Sequence, residues 1–212
     1  MGKLSALRDK IKAHLLEQIQ NGELQVGKTI NLAELSRATG ISVTPIREAL
    51  TQLEQAQVIQ AVPNRGFVVA KLSKHEVKDL IEIVAQLEVM ALENSEFETE
   101  GMETLDKLQS ELEATETIAE GLRARFNFHN YLVQHCSNKI LLQILRDLKV
   151  RLHFYEHDFI KDHGFFQKLS AQTRSVVDAI QEDNVPTAAL ILRMHWMSIL
   201  EHIEGQIGVK NG

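Results

Sequence analysis

A single cysteine, three prolines and one tryptophan stand in a chain of 212 residues, and the scarcities exclude a good deal. One thiol rules out an internal disulfide framework and a Cys-rich zinc site; Cys136, set in "LVQHCSN", reads as a buried structural thiol. No uninterrupted apolar run approaches the roughly 20 residues that span a bilayer. The opening "MGKLSALRDKIKAHLLEQI" spreads charges through its apolar positions, unlike a secretory signal, so a cytoplasmic protein without membrane contact is expected. A Ser-His-Asp arrangement, a glycine-rich phosphate loop and the Glu-x-x-His bundle motif are missing too, and with them the warrant for an enzyme. The sequence shows neither repeats nor low-complexity tracts.

Positive charge is also short overall, at net −6, but unevenly so. Residues 1–73 hold 9 basic and 6 acidic side chains, whereas 74–212 hold 14 and 23. Opposite signs imply different partners for the two parts. A hydrophobic share of 44% suffices for a packed core in each.

In the first part, Leu4, Leu7, Ile11, Leu15, Leu16 and Ile19 mark a helical stripe that ends at the turn "NGELQVG". "NLAELSRATG" predicts a second helix, with Asn31 as N-cap and Gly40 as its stop. The third starts within "SVTP", where Ser42 or Thr44 can cap and Pro45 falls in the first turn, which has backbone donors to spare. Its stripe Ile46, Ala49, Leu50 and Leu53 faces a core, leaving Val43, Thr44, Arg47, Glu48, Thr51 and Gln52 off it. The β-prone runs "VIQAV" and "GFVVA" flank "PNR" as a ribbon with a tight tip. Three helices and a ribbon describe a winged helix-turn-helix.

From Ser73 onward helical periods take over, near 74–96, 101–119, 121–136, 138–160, 165–182 and 185–206, punctuated by Gly101, Gly121, Asn138 and Gly164. The expected fold is mainly α: a winged helix-turn-helix over 1–72, then an all-α antiparallel helical bundle over 73–212, with Leu72, Ser73 and Lys74 as the hinge.

The stretch "GELQVGKTINLAELSRATGISVTPIREALTQLEQAQVIQAVPNRGFVV" resembles the winged helix of GntR-superfamily transcription regulators of the FadR type. "FNFHNYLVQHCSN" and "VVDAIQEDNVPTAALILRMH" resemble segments of the FCD effector domain. Six helices look more like the shorter VanR-like branch. The resemblance implies a homodimer that binds a double-stranded DNA operator, commonly as a repressor, and senses a small-molecule effector in its bundle. It carries the DNA-binding role to Ser42, Thr44, Arg47, Arg65 and Gly66. A helix N-terminus favours phosphate, Arg47 can reach a guanine edge or a phosphate, and Arg65 can enter the minor groove. Two positions depart from the family pattern: Val43 and Ala33 stand where arginines are common. Val43 is a candidate contact for a thymine methyl.

In metal-binding FCD domains an Asp and a His one helical turn apart join two further histidines around a divalent cation. Here the pattern falls on Arg125, His129, Thr173 and His195, so at most His129 and His195 remain as ligands and no cofactor is expected. Val84 replaces an arginine often found in the cavity. Arg125, His129, Thr173, His195 and Val84 are therefore the candidate effector residues. Arg125 would hold an acidic metabolite in place of the cation, or else pairs with an acidic residue or faces outward. The trio His129, His195 and His202, and the helical pair His153 and His157, are further metal candidates. The alternative function is a DNA-binding regulator whose effector domain has degenerated into a dimerisation scaffold.

Overall fold

The computed structural model describes residues 10, 11, 14, 15, 17, 18, 24, 27–55, 57–71 and 73–209, in two units, Met1–Lys71 and Leu72–Gly212. Most of the predicted first helix, and Leu72 of the predicted hinge, lie outside the described residues. Those described between 10 and 18 are helical, and Ile11 and Leu15 are buried.

Helices α1 (Leu32–Thr39) and α2 (Val43–Gln55) follow, then strands β1 (Ile59–Val62) and β2 (Gly66–Val69). The caps are those the sequence specifies. Asn31 Oδ1 accepts from the N–H groups of Ala33 and Glu34, and Gly40, at φ 68°, ends α1 by donating its N–H to the Ser36 carbonyl. Ser36 Oγ donates to the Ile41 carbonyl at 2.7 Å, tying the turn between α1 and α2. All four stripe residues of α2, Ile46, Ala49, Leu50 and Leu53, are buried.

The strands pair antiparallel from Ile59↔Val69 to Val62↔Gly66. At the tip Arg65 N–H donates to the Val62 carbonyl, with Pro63 and Asn64 between them and Asn64 at φ 63°. That order of residues suits a tight turn needing left-handed backbone at its third position. One feature departs from the expected turn "NGELQVG". Thr29 bridges Val68, Gly27 N–H donates to Val69 O, and Ile30 N–H to Phe67 O, so the segment before α1 lies along the two-stranded ribbon through an isolated bridge.

Unit 2 holds α3 (Lys74–Glu93), α4 (Thr99–Glu113), α5 (Ile118–Val133), α6 (Lys139–Phe159), α7 (His163–Gln181) and α8 (Val185–Val209). Their starts are written in the sequence as caps. Ser73 with Glu76 and Thr117 with Glu120 form capping boxes, and Asn138 and Asp162 cap α6 and α7. Helix α8 packs on α3 and α7, α5 on α4 and α6, and α3 also on α6.

The predicted spans are right in number and order, but three of the four punctuating residues are not boundaries. Gly101, Gly121 and Gly164 lie inside α4, α5 and α7. The reason at Gly121 is packing: a Cβ there would stand 2.2 Å from Phe166 Cζ, so the ring of α7 sits directly on the backbone of α5. We expect Gly121→Ala to destabilise the protein by about 1–3 kcal/mol, read as a lower Tm. Adding Phe166→Leu should recover part of the loss.

Candidate functional site

In unit 1, α2 begins at Val43, so Ser42 occupies the N-cap position. Ser42, Val43, Thr44 and Arg47 are all exposed around its first turn, while Pro45 and Ile46 turn inward. Val43 is 38% exposed, unusual for a valine with a core beside it. Arg65 and Gly66 are exposed at the ribbon tip, where Gly66 has φ 78° and nothing within 4 Å of where a Cβ would be. The predicted DNA-contacting side chains are thus all presented to solvent, at a helix N-terminus and a hairpin tip.

In unit 2, the polar residues converge in the bundle core. Glu88 of α3 is fully buried and accepts from three groups: Lys149 Nζ of α6 at 2.7 Å, His129 Nδ1 of α5 at 2.8 Å and Trp196 Nε1 of α8 at 2.6 Å. Arg125 donates through Nη1 to Glu156 Oε1 at 2.7 Å, and through Nε and Nη2 to His195 Nε2 at 3.2 and 3.0 Å. Its guanidinium also lies 4.8 Å from the Trp196 ring centre. His153 Nδ1 stands 3.7 Å from Glu156 Oε2.

Two carboxylates therefore face the Arg125 guanidinium and the Lys149 ammonium, whose pKa burial lowers against the pull of Glu88, and the hydrogen bonds fix the imidazoles. An arginine can only donate, so His195 Nε2 is the unprotonated nitrogen; Glu88 as a carboxylate can only accept, so His129 Nδ1 carries the proton. Burial, with Arg125 and His129 nearby, holds His195 far below the usual imidazole range. Burial lowers His129 to about 4 against the opposing pull of Glu88. Burial would raise Glu88 and Glu156, but the groups beside them outweigh it: His129 and Lys149, both bonded to Glu88, depress it, and Arg125, helped by the His153 imidazole, brings Glu156 to about 2. With both histidines neutral the cluster is electrically balanced. His129 Nε2 and His195 Nδ1 have no hydrogen-bond partner.

Beside this cluster is a cavity of about 10 Å³ lined by Arg125, Phe126, His129, Lys149, Glu156 and Trp196, among others. That is room for about one water molecule. Of the predicted effector residues, Arg125 and His129 line it, and His195 reaches it through Arg125. Thr173 is buried and donates to the Ser170 carbonyl, and Val84 belongs to the apolar core. Sequence reading missed Glu88, Lys149 and Glu156. Their signal was a charge on a core stripe: Glu88 lies one turn from Val84, while Leu145, Lys149, Leu152 and Glu156 run down one side of α6.

The donor set does not fit a divalent cation. Both Glu88 oxygens are bonded, His129 turns its protonated nitrogen to Glu88, and a guanidinium occupies the approach to His195. Among the described residues no group of three or more His, Cys, Asp and Glu converges on a point that could hold a metal. The His157 side chain lies outside the described residues.

Comparison with known proteins matches residues 7–69 to the family profile described as bacterial regulatory proteins, gntR family, and 68–198 to the FCD domain. The HTH-type regulator YdhC of Bacillus subtilis (strain 168) is 27% identical over 198 residues, covering 90% of this chain and 88% of the relative. The HTH-type transcriptional repressor GlaR of Escherichia coli (strain K12) is 24% identical over 204 residues, covering 90% and 92%. Among solved structures, E. coli McbR/YncC superposes with a TM-score of 0.82 at 21% identity over 95% of this chain and 98% of the other. No described helix is long and apolar enough to cross a membrane.

The buried neutral imidazoles set an acid limit on the bundle. Their folded pKa values lie below the unfolded value of about 6.5, so below that pH the unfolded chain binds more protons and stability falls. Each steepens the fall by up to about 1.4 kcal/mol per pH unit as pH drops from about 6.5 towards 4. His195→Gln, which keeps an acceptor for Arg125, should remove one proton from the slope in denaturant titrations between pH 7 and 5.

Proposed function

The chain belongs to the gntR family of bacterial regulatory proteins and carries an FCD domain, and on that premise we propose that it is a cytoplasmic repressor. Two copies bind a two-fold operator through residues 1–72, and residues 73–212 dimerise and sense a small acidic metabolite. The observation that carries the reading is α2, with one stripe buried and its N-terminal turn, Ser42, Val43, Thr44 and Arg47, displayed. Ser42 and Thr44 supply hydroxyls beside the positive end of the helix dipole and hydrogen-bond phosphate. Arg47 reads a base edge, Val43 packs on a thymine methyl, and Arg65 enters the minor groove where Gly66 lets backbone come close. Six helices in unit 2 support the shorter, VanR-like branch of the FadR type.

Sensing requires an effector that binds one arrangement of the two DNA-binding units better than another. Arg125 offers the means, since its planar fork bonds Glu156 in the closed bundle and can bond a ligand carboxylate instead. A second reading is favoured by the cavity of about 10 Å³ and the internally balanced charges: the bundle is a dimerisation scaffold with no effector.

Operator DNA selected from random sequence provides the test of the first claim. Arg47→Ala and Arg65→Ala should each weaken binding by about 5- to 150-fold with Tm unchanged; binding that survives both substitutions refutes the assignment. Thermal stability scanned against small carboxylates tests the second. Because losing Arg125 alone strands a buried carboxylate, the variant is Arg125→Met with Glu156→Gln. It should abolish any ligand-induced gain, while a gain that persists refutes the role of Arg125. A set of ligands none of which shifts Tm or operator affinity selects the scaffold.

A further inference from the structure

We infer that the surface shared by α3 and α8 is where a second copy of this chain docks. The inference rests on the dimer reading above and assigns it a face.

Helix α8 is apolar almost all round. From Val185 to Glu201 its only charged residues are Arg193 and Glu201. One side packs into the bundle through Ala188, Leu192, Trp196 and Ile199, as expected of such a helix. The other side is open: Leu190 is 58% and Met194 56% exposed, and Met197 is half-buried. Helix α3 repeats the pattern beside it. Ile83 is 49% and Met90 48% exposed, with Leu87 half-buried between them. Both stripes have the spacing i, i+4, i+7, Ile83–Leu87–Met90 and Leu190–Met194–Met197, which places each set on one helix face.

The stripes meet. Ile83 and Leu87 of α3 and Arg193 and Met197 of α8 line one groove of about 410 Å³, rimmed also by Glu82. Two adjacent helices, each with a stripe of this period, offer what two more such helices need to complete a four-helix packing. A second copy supplies that pair by symmetry. In a two-fold contact the same patch faces itself, so the acid Glu82 and the base Arg193, both exposed, can each meet the opposite charge of the other copy. The balance matters, because residues 74–212 hold 23 acidic and 14 basic side chains and two copies otherwise repel.

Size agrees as well. Helices of 20 and 25 residues side by side present a face about 30 Å by 20 Å, on the order of the roughly 800 Å² per partner that a stable interface buries. A rival patch exists on α6, where Ile140 and Ile144 are exposed. It offers two apolar residues on one helix, with no second stripe beside them among the exposed hydrophobics of the described residues.

Sedimentation velocity on the full chain decides. We expect the wild type to be a dimer, Ile83→Glu with Leu190→Glu to raise the dimer dissociation constant at least about 30-fold, and Ile140→Glu with Ile144→Glu to leave it unchanged. Both Ile83 and Leu190 are solvent-facing in the single chain, so circular dichroism and Tm should stay as in wild type. A wild-type dimer indifferent to the α3 and α8 substitutions, or dissociated by those on α6, overturns the face and leaves the dimer reading standing. A wild-type monomer overturns both. Should the charged variant misfold, single substitutions Ile83→Cys, Met90→Cys, Leu190→Cys and Met194→Cys are treated with a short bis-maleimide. Cys136 is buried and does not compete. At least one variant should cross-link into dimers well ahead of Ile140→Cys, and equal or absent cross-linking overturns the proposal.

Discussion

The bundle is organised around Glu88, a carboxylate with no solvent exposure that must be compensated from within. A lone buried carboxylate costs several kcal/mol. Here α5, α6 and α8 each send a donor to it, His129, Lys149 and Trp196. Four helices are thereby fixed in height and rotation relative to one another, since a slip of one residue in any would take its donor about 100° off the face that meets Glu88. The second pair, Arg125 with Glu156, repeats the constraint between α5 and α6 and recruits His195 from α8. Apolar packing supplies the stability of such a core, whereas buried ion pairs seldom add to it once desolvation is counted. What the charges contribute is a single register, and a point at which that register can be changed.

The same two helices carry both that point and the surface assigned to the second copy. On α3, Glu88 turns inward while Ile83 and Met90 turn outward; on α8, His195 and Trp196 turn inward beside Met194, which faces out. A side-chain rearrangement in the core is therefore one helix diameter, about 10 Å, from the proposed dimer contact. No chain of intermediaries is needed to join them. Helix α3 is also the first helix after the unit that bears α1 and α2, with its start pinned by the Ser73–Glu76 capping box.

Local chemistry was the readable part of the sequence. Asn31, Gly40 and Asn138 announced helix ends through groups that satisfy backbone donors and acceptors in the next few residues. The stripe of α2 announced its buried side. What depended on distant residues was not readable. Gly121 resembles a helix stop until Phe166, from another helix, is seen to lie on it. Lys28 and Thr29 pair with the ribbon only because the chain returns to it 40 residues later, at Val68 and Val69. Arg125 and His129 were found because a family pattern pointed to their positions. Glu88, Lys149 and Glu156 were passed over, although each breaks an apolar stripe. An uncompensated charge on a core stripe implies a partner on some other helix, and one sequence does not say which.

Electrical balance also limits how the core could admit an acidic ligand. Arg125 Nη1 holds Glu156, and it is chiefly this contact that keeps the Glu156 carboxyl near 2 against burial, which pushes it up. A ligand carboxylate that takes the guanidinium leaves Glu156 buried, with His153 and the Lys149 ammonium as remaining neighbours. Burial then meets weaker opposition, which favours uptake of a proton by Glu156. His129 and His195 are poorer acceptors for that proton, because burial and the nearby cations already disfavour their charged forms. Exchange at Arg125 therefore couples ligand binding to uptake of about one proton. An acidic effector that displaced Glu156 from Arg125 in this way would gain affinity as pH falls.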